Sequence, residues 1–255
     1  MNANGAPPTA GSSTATVGLI VPPADGQVPA DGLRLYPDLE FHTRGLGLRE
    51  LSIDGYDEVI DAVADRGRQL VAEGADAVML LGTSLSFYRG TDFNDELTAS
   101  LSAACGVPVA TLSTAVEVAL HTVDATRVAV ATAYDESVSA TLHDYLAAKG
   151  FEVAGTAVMG ITSLDGALTA STTAIADVAE RAVTASGSTT PDALLISCGG
   201  LDTLDLLAPL EAHLGIPVIA SSPTGHWYAA TLVGHDPRVP GWGTLLEKTP
   251  ERGTE

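Results

Sequence analysis

Short apolar runs alternate with longer amphipathic stretches along most of this chain. The runs at 17–21, 77–81, 107–111, 128–132, 193–197 and 218–220 are rich in β-branched residues or Leu, and Gly, Pro, Ser or Thr closes each one. Runs of that length and character predict strands buried on both faces of a parallel sheet. Between them, apolar positions at helical spacing predict helices over 56–72, 113–121, 137–148, 167–185, 203–213 and 224–233. Asp54, Asp135 and Asp202 stand where N-caps or first-turn acids belong. Such alternation predicts parallel α/β units joined by right-handed crossovers.

The pattern occurs twice. Residues 75–85 align without a gap against 191–201, and 17–21 with 128–132 and 106–110 with 215–220 keep nearly the same offset. A repeat this long predicts two pseudosymmetric Rossmann-like half-domains, each a parallel sheet flanked by helices. Their expected bounds are 17–125 and 126–233, with the active site in the cleft between them and a chain crossover near the C-terminus. Residues 1–16 read as a disordered tail and 234–255 as a C-terminal segment, polar and frayed from Glu247. One position breaks the repeat: Cys198 faces Gly82.

Parallel sheets bind ligands at the carboxyl ends of their strands. Pro22-Pro23, Gly82-Thr83-Ser84, Ala133-Tyr134, Cys198-Gly199-Gly200 and Ser221-Ser222-Pro223-Thr224 all follow predicted strands and are expected around one cleft. Together they offer hydroxyls, backbone amides and one thiol. They offer no carboxylate pair, no Lys and no His/Cys spacing suited to a metal, and the chain has no phosphate-binding glycine loop, so neither metal nor cofactor is expected. Each residue also has a structural reading. A cysteine after a buried strand serves as a small core hydrophobe, although paired glycines after it free backbone N–H groups for a ligand. Thr83 and Ser84 fit helix caps, Tyr134 fits a core aromatic, and Cys105 fits a filler at a helix end. His226 reads either as a base or as a packed residue beside Trp227 and Tyr228.

Composition narrows the function class. With 45% hydrophobic residues in 255, the chain can bury a sizeable core. A net charge of -20 argues against nucleic acid and anionic membrane surfaces as partners. No run is long enough to span a bilayer, and the N-terminal stretch lacks the charged and apolar regions of a signal peptide. Two cysteines in non-equivalent places suggest a reducing cytoplasm rather than a disulfide framework.

Several runs carry a resemblance: Val28-Pro29-Ala30-Asp31-Gly32, Arg34-Leu35-Tyr36-Pro37-Asp38-Leu39, Leu81-Gly82-Thr83-Ser84-Leu85-Ser86-Phe87-Tyr88-Arg89-Gly90 and Ser197-Cys198-Gly199-Gly200-Leu201. They resemble the arylmalonate decarboxylases of the aspartate/glutamate racemase superfamily, and the likeness covers nearly the whole chain apart from the tails. It implies a cofactor-independent carboxy-lyase acting on a small dicarboxylate, an α-aryl malonate, as a monomer. In that family a dioxyanion hole holds one carboxylate; its residues match the Thr83, Ser84 and Tyr134 hydroxyls and the Gly199 amide. The cysteine matching Cys198 is the proton donor. Pro22, Leu48, Leu85, Leu164 and Ala167 match an apolar pocket for the departing carboxylate, with Pro23, Gly82 and Gly200 around it.

The broken repeat then acquires a chemical meaning. A racemase needs an acid/base on each face of its substrate, and maleate isomerases of the superfamily use cysteines from both halves. One thiol predicts one protonated face, hence one product enantiomer. A thiol near its unperturbed pKa of about 8.5 is mostly protonated at neutral pH, which suits a proton donor. Two alternatives stay open: an isomerase or racemase in which another group, such as His226, replaces the missing thiol, and a two-lobed carboxylate-binding sensor that does not need Cys198.

Overall fold

The computed structural model describes residues 14–250. Its first sheet contains β1 (Thr16–Val21), β2 (Glu40–Gly45), β3 (Ala77–Leu80) and β4 (Val109–Thr111) in the order β2-β1-β3-β4. The second contains β5 (Arg127–Thr132), β6 (Glu152–Val158), β7 (Ala193–Ser197) and β8 (Val218–Ala220) in the corresponding order β6-β5-β7-β8. All pairings are parallel. The interior strands β1, β3 and β7 are buried throughout, as continuous apolar runs require. The edge strands β2 and β6 escape the pattern because their sequences, Glu-Phe-His-Thr-Arg-Gly and Glu-Val-Ala-Gly-Thr-Ala-Val, mix polar residues with half-buried ones.

The helices depart from the expected bounds in ways that local chemistry explains. The predicted 56–72 helix starts earlier, at Ile53–Val59, where Ser52 caps it by accepting the Gly55 N–H at 3.2 Å; Asp54 lies in its first turn. A 3₁₀ turn then leads into Val63–Ala72. Asp135 caps Glu136–Ala148 by accepting from Val138, whereas Asp202 caps no helix and precedes a 3₁₀ turn, Leu204–Leu206. The predicted 167–185 helix is two, Leu164–Leu168 and Thr172–Ala185, because Ser171 caps the second. Residues 221–224, expected as a loop, form the first turn of Ser221–Leu232, where Pro223 needs no N–H partner. Ala30–Leu35, Thr83–Phe87 and Thr91–Cys105 are additional helices. The last buries only Asn94, Leu101 and Cys105, too narrow a face to show as periodicity.

Matching devices mark the repeat. Asp76 accepts the Thr16 N–H at 2.9 Å, and Asp192 accepts those of Thr126 and Arg127 at 3.0 and 2.8 Å, so a carboxylate holds the entry to each central strand. Gly106 and Gly215 end corresponding helices at φ 68° and 72°, where a side chain is strained.

The two halves are also tied together. Helix Ser221–Leu232 follows β8 yet packs against Ala30–Leu35, Leu112–Thr122 and β3. Beyond it the chain continues across the first half: Tyr36 Oη donates to the Pro237 carbonyl at 2.7 Å and Lys248 Nζ to that of Thr122 at 3.0 Å. The expected fraying from Glu247 therefore does not hold for Lys248, whose carbonyl also accepts the Trp227 indole N–H. Residues 1–13 and 251–255 of the expected tails lie outside the described residues, and Thr16 already belongs to β1. Across the cleft, Leu51 N–H donates to Thr162 O and Leu164 N–H to Arg49 O, a two-bond clasp between the loops after β2 and β6.

Candidate active site

The loops after β3 and β7 begin alike and then diverge. Gly82 is extended, with φ -126° and ψ 97°, and leads directly into helix Thr83–Phe87. Thr83 and Ser84 thus occupy a first helical turn, whose N–H groups have no intrahelical acceptor. Both side chains are buried. Ser86 and Ser113 brace the turn from below: their hydroxyls are 2.7 Å apart, Ser86 donates to the Gly82 carbonyl and Ser113 to that of Thr83. Thr83 and Ser84 are therefore not caps. They are the buried first turn of a braced helix.

After β7 no helix forms. Cys198-Gly199-Gly200-Leu201 makes a turn closed by Leu201 N–H on the Cys198 carbonyl at 3.3 Å. The Cys198 N–H goes to Ser221 Oγ at 3.2 Å. The N–H groups of Gly200 and Leu201 face the Cys198 sulfur. Gly199 N–H has no acceptor among the described residues.

Tyr134, placed by the end of β5, joins the two loops. Its hydroxyl lies among Ser197, Ser84 and the Cys198 thiol, and its ring is 1% exposed. Tyr56, from helix Ile53–Val59, reaches the same point: its buried hydroxyl faces Ser84 without closing a hydrogen bond. Thr83 Oγ1 is likewise buried without a partner. An unsatisfied buried hydroxyl costs about 1–3 kcal/mol, so the Thr83 and Tyr56 hydroxyls are available as donors to a ligand. Tyr56 was not among the expected site residues. It precedes its site partners by a long stretch of chain, and only tertiary packing, edge-on to Tyr88, brings it in.

Electrostatics favour neutral donors. Burial raises the pKa of Tyr134 and Tyr56, and proximity to Cys198 adds to the effect. Burial also pushes the Cys198 thiol up to about 11, although the Gly200 N–H, the Tyr134 hydroxyl and the Leu201 N–H favour its thiolate. This corrects the expectation of a near-ordinary thiol. Cys198 is a firmly protonated acid at neutral pH.

Beside this cluster lies an apolar pocket to which Pro22, Pro23, Leu164, Gly199 and Gly200 contribute. The other expected pocket residues are buried around it. Leu48 is hydrogen-bonded through its N–H to Pro22 O, Leu85 packs on Gly82, and Ala167 lies against Gly200. His226 packs instead against Gly32 and edge-on to Phe41, with Nδ1 2.8 Å from the Ser222 carbonyl, and burial lowers its pKa to about 4. Cys105 packs against Gly67 and Leu101. No group of three His, Cys, Asp or Glu side chains among the described residues is arranged to hold a metal ion.

The arylmalonate decarboxylase family model matches residues 17–246. The chain belongs to the arylmalonate decarboxylase family. It is 45% identical over 239 residues to the arylmalonate decarboxylase of Bordetella bronchiseptica, covering 93% of this chain and 99% of that protein. Among solved structures it resembles the liganded form of an arylmalonate decarboxylase double mutant, with a glycine changed to cysteine and a cysteine to serine. There the TM-score is 0.88 at 45% identity, over 91% of this chain and 98% of the other. The maleate isomerase Iso from Pseudomonas putida S16 shares the fold, with a TM-score of 0.85 at 19% identity over 92% of this chain and 99% of the isomerase. Within the arylmalonate decarboxylase fold, then, the hydroxyls, the free amide and the thiol converge at the ends of strands from both sheets.

Proposed function

We propose that this carboxy-lyase decarboxylates α-aryl malonates without a cofactor, through an enediolate that Cys198 protonates on one face. The observation that carries the reading is a neutral, buried thiol beside unpartnered Thr83 and Tyr56 hydroxyls and a free Gly199 amide. One substrate carboxylate takes hydrogen bonds from Thr83, Ser84, Tyr134, Tyr56 and the Gly199 N–H. The other faces the apolar side chains of Pro22, Leu48 and Leu164 and leaves as carbon dioxide. The electron pair of the broken carbon–carbon bond passes into the retained carboxylate as an enediolate. Preplaced donors stabilise that charge as it develops, each contributing about 3 kcal/mol. The Cys198 S–H proton then transfers to the α-carbon, and the resulting thiolate recovers its proton from water.

Position 82 carries no side chain, so no second thiol serves the opposite face, and the product is a single enantiomer of a 2-arylcarboxylate. Both loops come from one chain, which supports a monomeric enzyme. Both cysteines are free and buried, in keeping with a reducing cytoplasm, and no helix among the described residues is long and apolar enough to cross a membrane.

The test is carbon dioxide release from phenylmalonate by the purified protein. Cys198→Ala is expected to lower turnover by at least about 10³-fold with the fold intact, while Cys105→Ala stays near the parent. Near-parental turnover by Cys198→Ala overturns the proton-donor role. Conversion of maleate to fumarate, racemization of aspartate, or binding of phenylmalonate without turnover identifies an isomerase, a racemase or a carboxylate sensor instead.

A further inference from the structure

Ser86 Oγ lies 3.1 Å from the Gly82 carbonyl oxygen and 3.0 Å from that of Thr83, and Ser113 Oγ lies 3.1 Å from the second of these. The Ser113 N–H donates to Ser86 Oγ at 3.2 Å and the two hydroxyls are 2.7 Å apart, so helix Leu112–Thr122 grips Ser86 through backbone and side chain together. Both serines are buried, at 0% and 2% exposure. The gripping helix is itself rooted. Thr111 caps it by accepting the Thr114 N–H at 3.3 Å, and the same hydroxyl donates to Asn94 Oδ1 at 2.6 Å.

The Gly82 and Thr83 carbonyls belong to the peptide planes on either side of the Thr83 Cα. Each plane is rigid, so holding both fixes φ and ψ of Thr83 and with them the direction of its Cβ. Branching at that Cβ then restricts χ1. Thr83 Oγ1 is buried without a partner, a costly state that a freely turning residue would leave by rotating toward an available acceptor. The pinned planes deny it that escape. The other two hydroxyls of the site have separate supports: the Ser84 carbonyl accepts the Tyr88 N–H at 3.1 Å, and Tyr134 follows β5 of the other sheet. Thr83 is the one that depends most on the serine pair.

Resting on the decarboxylase reading, we propose that Ser86 and Ser113 are positioning residues for the reaction. Acting through the two peptide planes from beneath the turn, they hold the Thr83 hydroxyl aimed at the retained carboxylate.

The experiment is a set of double-mutant cycles on kcat for carbon dioxide release from phenylmalonate. Ser113→Ala, and separately Ser86→Ala, is introduced into the parent, into Thr83→Ala and into Tyr134→Phe. In the parent each is expected to lower kcat about tenfold, the scale of a modest misplacement. In Thr83→Ala no hydroxyl is left to aim, and the same change is expected to cost less than about threefold; in Tyr134→Phe it is expected to cost the full tenfold, or about that. A general loosening of the fold acts alike in every background. Equal factors in all three therefore overturn the proposal, and so does a parent kcat that neither substitution lowers. The serines make separate bonds, so if one Ala variant does not fold the other completes the cycles. If neither folds, Ser113→Cys and Ser86→Cys, which keep the size and weaken the donor, replace them with the same pattern expected. A parent that does not turn over phenylmalonate defeats the decarboxylase reading itself, whereas an active parent with equal factors defeats this inference alone.

Discussion

The loop after β3 and the loop after β7 start from matching sequence and matching strands, yet they supply different chemistry. Gly82-Thr83-Ser84 runs straight into a helix and presents side-chain hydroxyls, with its carbonyls braced by Ser86 and Ser113. Cys198-Gly199-Gly200 turns without a helix and presents a thiol and a bare amide. On the proposed mechanism the first loop holds negative charge and the second delivers a proton. In this duplicated scaffold, strands in corresponding order carry different residues at their carboxyl ends.

Gly82 shows what limits an exchange of residues between the two loops. Its φ is -126°, so its backbone conformation is open to any residue. Space is the constraint: a Cβ there meets Leu85 Cδ1 at 2.6 Å and Leu85 Cβ at 3.1 Å. The closest atom is the far end of a flexible side chain, so a larger residue at 82 is accommodated by movement of Leu85 at some loss of packing.

The division of labour can be broken from the first loop. Thr83→Ala, Ser84→Ala and Tyr134→Phe are each expected to lower kcat about 10²-fold, the effect of one lost donor to a developing oxyanion. Their product is expected to keep the parent's enantiomeric composition, because the second loop sets the protonated face. Chiral chromatography of what each variant makes checks both halves of the statement, and a racemic product contradicts it.

The second loop is tested through pH. Because burial holds the Cys198 thiol near 11, its acid form persists through the ordinary alkaline range. Thiolate absorbance near 240 nm from Cys198, read against Cys198→Ala, is expected to stay low below about pH 10. A thiolate already formed at pH 8 contradicts the buried-acid description.

A smaller effect concerns His226, buried as a neutral ring against Gly32 and Phe41. Its pKa falls from 6.5 to about 4 on folding, so its stabilising contribution is full above 6.5 and is lost as pH falls toward 4. His226→Phe is expected to reduce the drop in melting temperature between pH 7 and pH 5 by a few degrees, about what a change of 1 kcal/mol produces. An unchanged drop removes His226 from the acid sensitivity of the fold.

Much of this architecture is legible in the chain because buried parallel strands must be continuously apolar and must end in turns. That requirement marks β1, β3, β5 and β7, and with them Thr83, Ser84, Tyr134, Cys198 and Gly199 at their carboxyl ends. It says nothing of β2 and β6, whose exposed faces admit Glu, His, Thr and Arg. Nor does it reach Tyr56, which comes to Ser84 only through the packing of helix Ile53–Val59 in the fold.

The central claim is that the face protonated follows the loop that carries the thiol. Its most direct test is the handedness of the product formed by the Gly82→Cys, Cys198→Ser double variant from an α-methyl-α-phenylmalonate. Moving the thiol across the pseudo-twofold axis is expected to yield the opposite enantiomer from the parent, at a reduced rate because Leu85 must shift and the donor lacks its original surroundings. An active double variant whose product retains the parent's handedness would contradict the account.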